Sequence, residues 1–390
     1  MSSLGQQFSG AVDRDRLVGR LAELVRTRSE NPPGDEAAAG AVTESYCRDL
    51  GLDVEVHEAE PGRPNVIART GTGKGPTLTY CSHIDVVPAG NPALWDRDPY
   101  SAHIADGVMH GRGSADAKGP CAAAIEAVNL VLDAGTELNG TLELAFVSDE
   151  EAMGFKGAGW LVEQGIVEPD LAMVGEPTSL RLVRAQRGAN WIRLTTHGLA
   201  GHGSAPERGR NAINYMSEVV SHLESTVPDI THEVLGGPSI NVGTITGGEK
   251  VNIIPASCSV EIDRRSIPGE TPEELIDQLE AAVELAKTRY PELTATVEVM
   301  FAGMPFEVDP NSELVSTVAD AIASVTDKPA ELVGFRGASD ARFMAEMGAQ
   351  TIVLGPGDIA TAHTAREHVD LDEVEACALI YARAFAGLLS

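Results

Sequence analysis

The chain has 390 residues, too many for one ordinary domain and enough for two, each with its own core, and its apolar share is that of a globular protein. Its 58 acidic against 29 basic residues give a formal charge of -29, which repels nucleic acid phosphates and anionic lipid and argues against both as partners. No run of about 18 uninterrupted apolar residues occurs, so no membrane-spanning helix is expected.

In chain order, Met1 to Gly10 is polar and lacks the basic stretch and apolar core of a secretory signal, so a cytoplasmic location is expected. The cysteines Cys47, Cys81, Cys121, Cys258 and Cys377 contain no C-x-x-C pair, and buried small hydrophobes are expected rather than disulfides or a thiolate metal site. Leu17, Leu21, Leu24 and Val25 recur at helical spacing until Asn31-Pro32-Pro33-Gly34 stops the pattern. Short apolar runs then alternate with helical stretches such as Cys121 to Ala134. The runs are Val66 to Arg69, Thr77 to Cys81, Leu142 to Val147 and Leu171 to Val174, the pattern of an α/β domain with a mostly parallel sheet. Ala68 to Gly75 looks like a phosphate loop but lacks the opening glycine and final Ser/Thr and precedes a strand, so a hairpin or exposed turn is expected.

From about Arg187 the pattern changes to strand, helix, strand, strand, helix, strand. The members are Trp191 to Thr196, Asn211 to Ser225, Ile240 to Thr246, Ser257 to Asp263, Pro272 to Tyr290 and Thr294 to Met300, a ferredoxin-like βαββαβ unit with Gly247-Gly248 as the hairpin between its middle strands. After Asp309 the α/β pattern resumes with a helix Ser312 to Val325, a strand Thr351 to Leu354 and a closing helix from Asp372. The expected organisation is one discontinuous α/β domain, residues 1–186 and 303–390, carrying an inserted α+β domain at 187–302.

In parallel α/β sheets ligands bind beyond the carboxyl ends of the strands, so the residues after each apolar run carry the search. Thr77 to Cys81 leads to His83 and Asp85, Leu142 to Val147 to Asp149-Glu150-Glu151, Leu171 to Val174 to Glu176, and Thr351 to Leu354 through Gly355-Pro356-Gly357 toward His363. Asp116 lies in the glycine-rich loop Gly111 to Gly119, where a carboxylate could bridge two ions roughly 3.5 to 4 Å apart. Imidazole with carboxylate suits zinc, with cobalt or manganese open by ligand type. His83 and Asp85, two apart, face one side of an extended segment, so Asp85 could take the imidazole's other N–H. Glu150 and Glu151 face differently in an extended segment, leaving one for metal and one as general base.

The segments Ser82-His83-Ile84-Asp85-Val86-Val87-Pro88, Gly111 to Gly119, Ser148-Asp149-Glu150-Glu151, Gly175-Glu176-Pro177-Thr178, His202-Gly203-Ser204-Ala205-Pro206 and Ala362-His363 occur in one order across nearly the whole chain. Together they resemble the co-catalytic zinc amidohydrolases and exopeptidases that include acetylornithine deacetylase, succinyl-diaminopimelate desuccinylase, aminoacylases and glutamate carboxypeptidase. The resemblance implies two divalent ions, with His83 and Glu176 on one, Glu151 and His363 on the other, and Asp116 bridging. It further implies Glu150 as the base, Asp85 as the partner of His83, a cis peptide at Asp116-Ala117, and His202 as the group that steadies the oxyanion, often in a partner subunit. Asn252, Arg265, Arg336 and Ser339 resemble substrate-contacting positions, and the inserted domain resembles a lid and homodimerisation domain.

The expected substrate is an N-acyl amino acid, with a dipeptidase or carboxypeptidase activity as the alternative and a non-catalytic metal-binding homologue as the remote one. Arg366 and Arg336 stand where relatives often have Asn and Gly, and Arg336 suits a substrate carboxylate through a bidentate contact. A serine hydrolase is disfavoured because neither Gly337-Ala338-Ser339-Asp340-Ala341 nor Gly201-His202-Gly203-Ser204 fits G-x-S-x-G. His57, His103, His110, His197, His222, His232 and His368 are read as surface or packed residues.

Overall fold

The structure is a computed structural model that describes Phe8 and residues 12–390. The reading of Met1 to Gly10 therefore falls, Phe8 apart, outside the described residues. The amino-terminal half runs through α1 (Arg14–Arg26), α2 (Ala37–Asp49), β1 (Asp53–Glu58), β2 (Pro64–Gly71), β3 (Thr77–His83), β4 (His103–Ala105), β5 (Val108–His110), α3 (Lys118–Asp133), β6 (Thr141–Val147), α4 (Ala158–Glu163), β7 (Leu171–Val174) and β8 (Leu182–Gln186). It continues through β9 (Gly188–His197), β10 (Gly201–His202), α5 (Ala212–Thr226), β11 (Ser239–Gly247), β12 (Ile253–Ile254), β13 (Ser257–Ser266), α6 (Pro272–Ala286), β14 (Thr294–Gly303) and β15 (Phe306–Glu307). The chain closes with α7 (Glu313–Thr326), β16 (Leu332–Phe335), α8 (Ala341–Glu346), β17 (Gln350–Val353), β18 (His368–Asp370) and α9 (Leu371–Leu389).

Two compact units result. The first runs to Arg184 and resumes over Val308–Val333 and Ser339–Ser390; the second comprises Ala185–Glu307 with Gly334–Ala338. The short segment carrying Arg336 thus groups with the second unit, whereas the sequence reading left it with the outer segments.

In the first unit the sheet order is β1-β2-β6-β3-β7-β17-β8. The central strands β6, β3, β7 and β17 are parallel, and antiparallel strands flank them. The class is α/β with a mostly parallel central sheet. Helices cover the parallel strands, so β3 and β6 are buried along nearly their whole length and read as continuous apolar runs. Helix α3 is buried almost all round between α1 and α9, which explains why its sequence has no polar face. Tyr80 anchors the aromatic part of this core against Phe146, Tyr381 and Phe385, and its hydroxyl donates to Pro120 O at 2.9 Å. All five cysteines are buried and free. No helix of the described residues is long and apolar enough to cross a membrane.

In the second unit the antiparallel order β11-β13-β9-β14, with α5 and α6 on one face, is a ferredoxin-like arrangement. Tyr215, Met216, Val219 and Leu223 of α5 and Leu279, Ala282 and Val283 of α6 pack on Ile192, Leu194, Val260 and Ile262. Helix α6 starts at a capping box in which Thr271 Oγ1 accepts from the Glu274 N–H and the Glu274 carboxylate accepts from the Thr271 N–H, with Pro272 in the first turn. It ends at Ala286, not Tyr290, because residues 287–290 close in turns on the last helical carbonyls.

One turn expectation is corrected, and of the two alternatives given for another the exposed turn is the one observed. Gly247 pairs with Cys258, so the middle strands are joined by a longer loop that includes β12, which pairs with β10 instead of closing a tight hairpin. The loop after Gly71 is not a hairpin either, since β6 lies between β2 and β3; its residues are an exposed turn tied to Asn139 and Gly140.

Candidate metal centre

His83 ends β3, and its ring is almost wholly buried. Its Nδ1–H donates to the backbone carbonyl of Asp85 at 2.9 Å, while the Asp85 carboxylate stands 3.5 Å away. The expected carboxylate contact is therefore made by the carbonyl. The Asp85 side chain instead accepts from the N–H groups of Glu150 at 3.2 Å and Glu151 at 3.1 Å, and from Asn31 Nδ2 at 2.9 Å. Asp85 thus fixes the turn that presents both glutamates. That turn is a single 3-10 turn, Glu150–Ala152, entered through Asp149 at φ +74, and not the extended segment expected.

Asp149 is held by the buried Arg63, whose Nη1 lies 2.8 Å from Asp149 Oδ1 and whose Nε and Nη2 donate to Glu36 at 3.1 and 2.6 Å. Burial raises the Glu36 pKa, although Arg63 opposes the shift. Removing the guanidinium strands two buried carboxylates, so Arg63→Met is expected to cost about 3–5 kcal/mol in urea-unfolding stability and to misplace the Glu150 turn. A loss below about 1 kcal/mol would refute the clamp.

The loop from β5 to α3 brings in Asp116. At Gly113, φ +82, an added Cβ would lie 2.7 Å from Val86 Cγ1, so only glycine lets the backbone pass there. Glu367 holds the loop: its carboxylate accepts from the N–H groups of Gly113 at 2.8 Å, Ala115 at 3.3 Å and Asp116 at 3.2 Å, and it pairs with Arg112. Sequence reasoning missed this residue, as it missed Asn31, Glu36 and Arg63. The Asp116–Ala117 peptide is cis.

The two Asp116 oxygens face different histidines. Oδ1 lies 3.1 Å from His83 Nε2, and Oδ2 lies 3.3 Å from His363 Nε2. Glu176, at the end of β7, stands 4.0 Å from His83 Nε2, and Glu151 stands 3.0 Å from His363 Nε2. The donor atoms of His83, Glu150 and Glu176 lie within 4.8 Å of one another, as do those of His83, Asp116 and Glu151. Asp340 adds a buried carboxylate with neither oxygen hydrogen-bonded, and burial pushes its pKa up to about 7.

This crowding has an electrostatic signature. Burial and repulsion from Glu176 hold the Glu150 carboxyl well above its ordinary range; burial and neighbouring carboxylates do the same for Glu176, and raise Glu151. His363 is raised to about 10 by Asp116 and Glu151. Burial alone would lower His83, but Asp116, Asp85 and the nearby glutamates outweigh it and raise it well above its ordinary value. Asp116 is shifted down, since its two histidines overcome its burial. Two imidazoles with several buried carboxylates that the protein's own cations leave uncompensated fit divalent metal ions by donor chemistry.

The raised shifts predict a pH effect. Each raised group adds stability that is full below its unfolded-state value, about 4.5 for Glu and 6.5 for His, and that is lost as pH rises through the higher folded value. Asp116 has the opposite sign, and its contribution is lost only at lower pH. The melting temperature of chelated protein is therefore expected to fall between pH 5 and 8, while metal-loaded protein, whose ligands bind deprotonated, holds its own. The gap between the two should widen across that range in a thermal-shift series. A constant or narrowing gap would contradict the assignment of these groups to a metal centre.

The substrate-contacting candidates are divided between the two units. Ser339 is in the first unit, wholly buried, with Oγ accepting from the Ala341 N–H at 3.4 Å. His202, Asn252, Arg265 and Arg336 are in the second unit. His202 Nδ1 accepts from the Ser204 N–H at 3.2 Å and lies 2.7 Å from Ser204 Oγ, which leaves the ring proton on the exposed Nε2. The backbone carbonyl of Asn252 accepts from the Gly203 N–H at 2.9 Å, so the two candidate segments are laced together. Arg265 pairs with Asp263 at 2.9 Å, and Arg336 is exposed. Arg187, which the sequence reading passed over, joins them: burial and the charges of Arg336 and Arg265 depress its pKa, and its Nη2 donates to Leu235 O at 2.7 Å.

Comparison with known proteins places these features in context. Residues 80–386 match the profile of peptidase family M20/M25/M40. An acetylornithine deacetylase of Pectobacterium carotovorum is 36% identical over 334 residues, covering 83% of this chain and 83% of that protein. A succinyl-diaminopimelate desuccinylase of Hydrogenovibrio crunogenus is 30% identical over 380 residues, covering 94% and 97%. Among solved structures, aminopeptidase PepT of Bacillus cereus superimposes with a TM-score of 0.79 at 24% identity, covering 98% of this chain and all of that one. The Bacillus subtilis YxeP protein, a dinuclear metal-binding peptidase, gives 0.74 at 15% identity, covering 96% and 98%.

Proposed function

This chain belongs to peptidase family M20/M25/M40, and on that premise we propose that it hydrolyses the amide bond of an N-acyl amino acid with the help of two divalent ions. One observation carries the reading: the two oxygens of Asp116 point at two different histidines, each with its own glutamate, Glu176 beside His83 and Glu151 beside His363. His83 and Glu176 would hold one ion, His363 and Glu151 the other, and Asp116 both, with zinc first and cobalt or manganese as alternatives. When bound, the ions supply Lewis acidity, which polarises an amide carbonyl and makes water a competent nucleophile near neutral pH.

The chain's own residues do the rest. Glu150 takes the proton of the attacking water and delivers it to the leaving amine, and its turn is held for this by Asp85. The Nε2–H of His202 is a donor suited to a developing oxyanion, a contact made only in the transition state. Arg265 and Arg336, with Arg187 beside them, suit the carboxylate of the substrate's amino acid. Asn252 and Ser339 are assigned to substrate contact by resemblance. The same reading includes a homodimer formed through the inserted unit and a cytoplasmic location.

The test is a panel of N-acetyl, N-succinyl and N-carbamoyl amino acids and of dipeptides, offered to chelated enzyme with and without added zinc, cobalt or manganese. Metal-restored cleavage of acyl amino acids is expected. Preferential cleavage of dipeptides would move the assignment to a dipeptidase or carboxypeptidase, and activity that survives complete metal removal would overturn the metal-dependent reading.

A further inference from the structure

Three of the histidines read as surface or packed residues stand together, away from the centre just described. Strands β4, β5 and β18 form an antiparallel sheet in which His103 is directly opposite His110, and His110 directly opposite His368. The ring centroids are 6.3 Å apart for His103 and His110 and 5.6 Å for His110 and His368. The rings line a cavity of about 440 Å³ that also receives Trp95, Asp96 and Arg366. None of the three is fully buried, so an ion has a route in.

We propose that His103, His110 and His368 form a further metal site, for a borderline divalent ion such as Ni2+, Cu2+ or Zn2+, with His110 as the shared ligand and Asp96 available to add an oxygen. Directly opposed residues on antiparallel strands have Cβ atoms about 4.5–5.5 Å apart, and imidazole nitrogens reach such ions at about 2.0–2.1 Å, so neighbouring rings can close on one ion by side-chain rotation alone. His368 is already oriented for this. Its Nδ1–H donates to Arg366 O at 2.8 Å, the backbone contact that usually fixes the tautomer of a ligating imidazole and leaves Nε2 free. Burial and the two neighbouring imidazoles lower the pKa of His110, with Asp96 opposing, which favours the neutral ring that binds metal.

The placement gives the site a use. Strand β5 leads directly into the loop that carries Asp116, and β18 follows directly on Glu367, in the stretch that begins at His363. An ion across His110 and His368 ties together the two stretches that build the catalytic centre, and would act as a structural tie without touching substrate.

The experiment uses full-length enzyme whose two catalytic equivalents are already filled, titrated with Ni2+ by calorimetry and with Cu2+ by electron paramagnetic resonance. One additional equivalent is expected, together with a rise in melting temperature and nitrogen hyperfine structure from imidazole ligands. His110→Gln and His368→Gln should lose that equivalent and the added thermal stability, and His57→Gln, a control elsewhere on the surface, should keep both. Equal uptake by the wild type and by the His103→Gln/His110→Gln/His368→Gln triple variant, or no additional equivalent in the wild type, would overturn the site.

Discussion

Glu150→Gln is expected to lower kcat by about 100- to 10,000-fold, the range for loss of a positioned general base, while both metal equivalents stay bound. The amide keeps the size of the side chain and removes its basicity. The prediction separates two roles that the distances alone leave together, since Glu150 lies within ligand reach of His83 and Glu176. If Glu150 were a ligand, metal content would fall along with kcat; if it is the base, KM and metal content should hold and the acid limb of the pH profile should flatten. Glu151→Gln is the contrast. Glu151 stands 3.0 Å from His363 Nε2, so its replacement should weaken metal binding as well as turnover.

The parts of the fold legible in the sequence were those where burial writes a pattern. Strands β3, β6 and β7 are covered on both faces, so their apolar runs stood out, and α6 announces itself through Thr271-Pro272 and its regular apolar spacing. Helix α2 was passed over because its sequence is weakly patterned, with Gly40 and Thr43 on its buried side and no side-chain cap at its start. The strands β4, β5 and β18 have three residues each, too few for an alternation to show, and although β4 and β5 pair locally, the partner of β18 is more than 250 residues away. The loop after Gly247 was misread for a related reason. Two glycines signal a hairpin locally, but the pairing of β12 with β10 is a tertiary event.

The site divides along the same line. His83, Glu150, Glu151 and Glu176 could be singled out as candidates because parallel strands end at one rim, a rule that needs only the positions of the strands. Their supports could not, because nothing in a local pattern links Asn31 to Asp85, Arg63 to Asp149, or Glu367 to the backbone around Asp116. The one available hint was an acidic residue, Glu367, four places after His363. The partner of His83 shows the limit at atomic scale: spacing placed Asp85 on the correct side, but whether its carbonyl or its carboxylate meets the ring depends on the Glu150 turn that the carboxylate has to hold.

Asp116→Ala should have the broadest consequence of any single change at the centre. Each glutamate serves one histidine, whereas Asp116 alone addresses both, at 3.1 and 3.3 Å through separate oxygens. Its loss should therefore deplete both metal equivalents together, where Glu176→Ala or Glu151→Ala should deplete mainly one. The Lewis acidity lost with the ions amounts to several kcal/mol of transition-state charge stabilisation, so kcat/KM should fall by at least about 1,000-fold. Folding should survive, because the Asp116 loop is held through its backbone by Glu367 and not through the Asp116 side chain. The chelated variant should melt below chelated wild type at pH 8, since the two histidines hold the Asp116 carboxyl below its ordinary value, and the stability this gives at pH 8 goes with the side chain. Metal analysis beside thermal denaturation tests both halves. An Asp116→Ala protein that still binds two equivalents would show that the two histidines belong to independent sites, and that the bridging carboxylate is not what joins them.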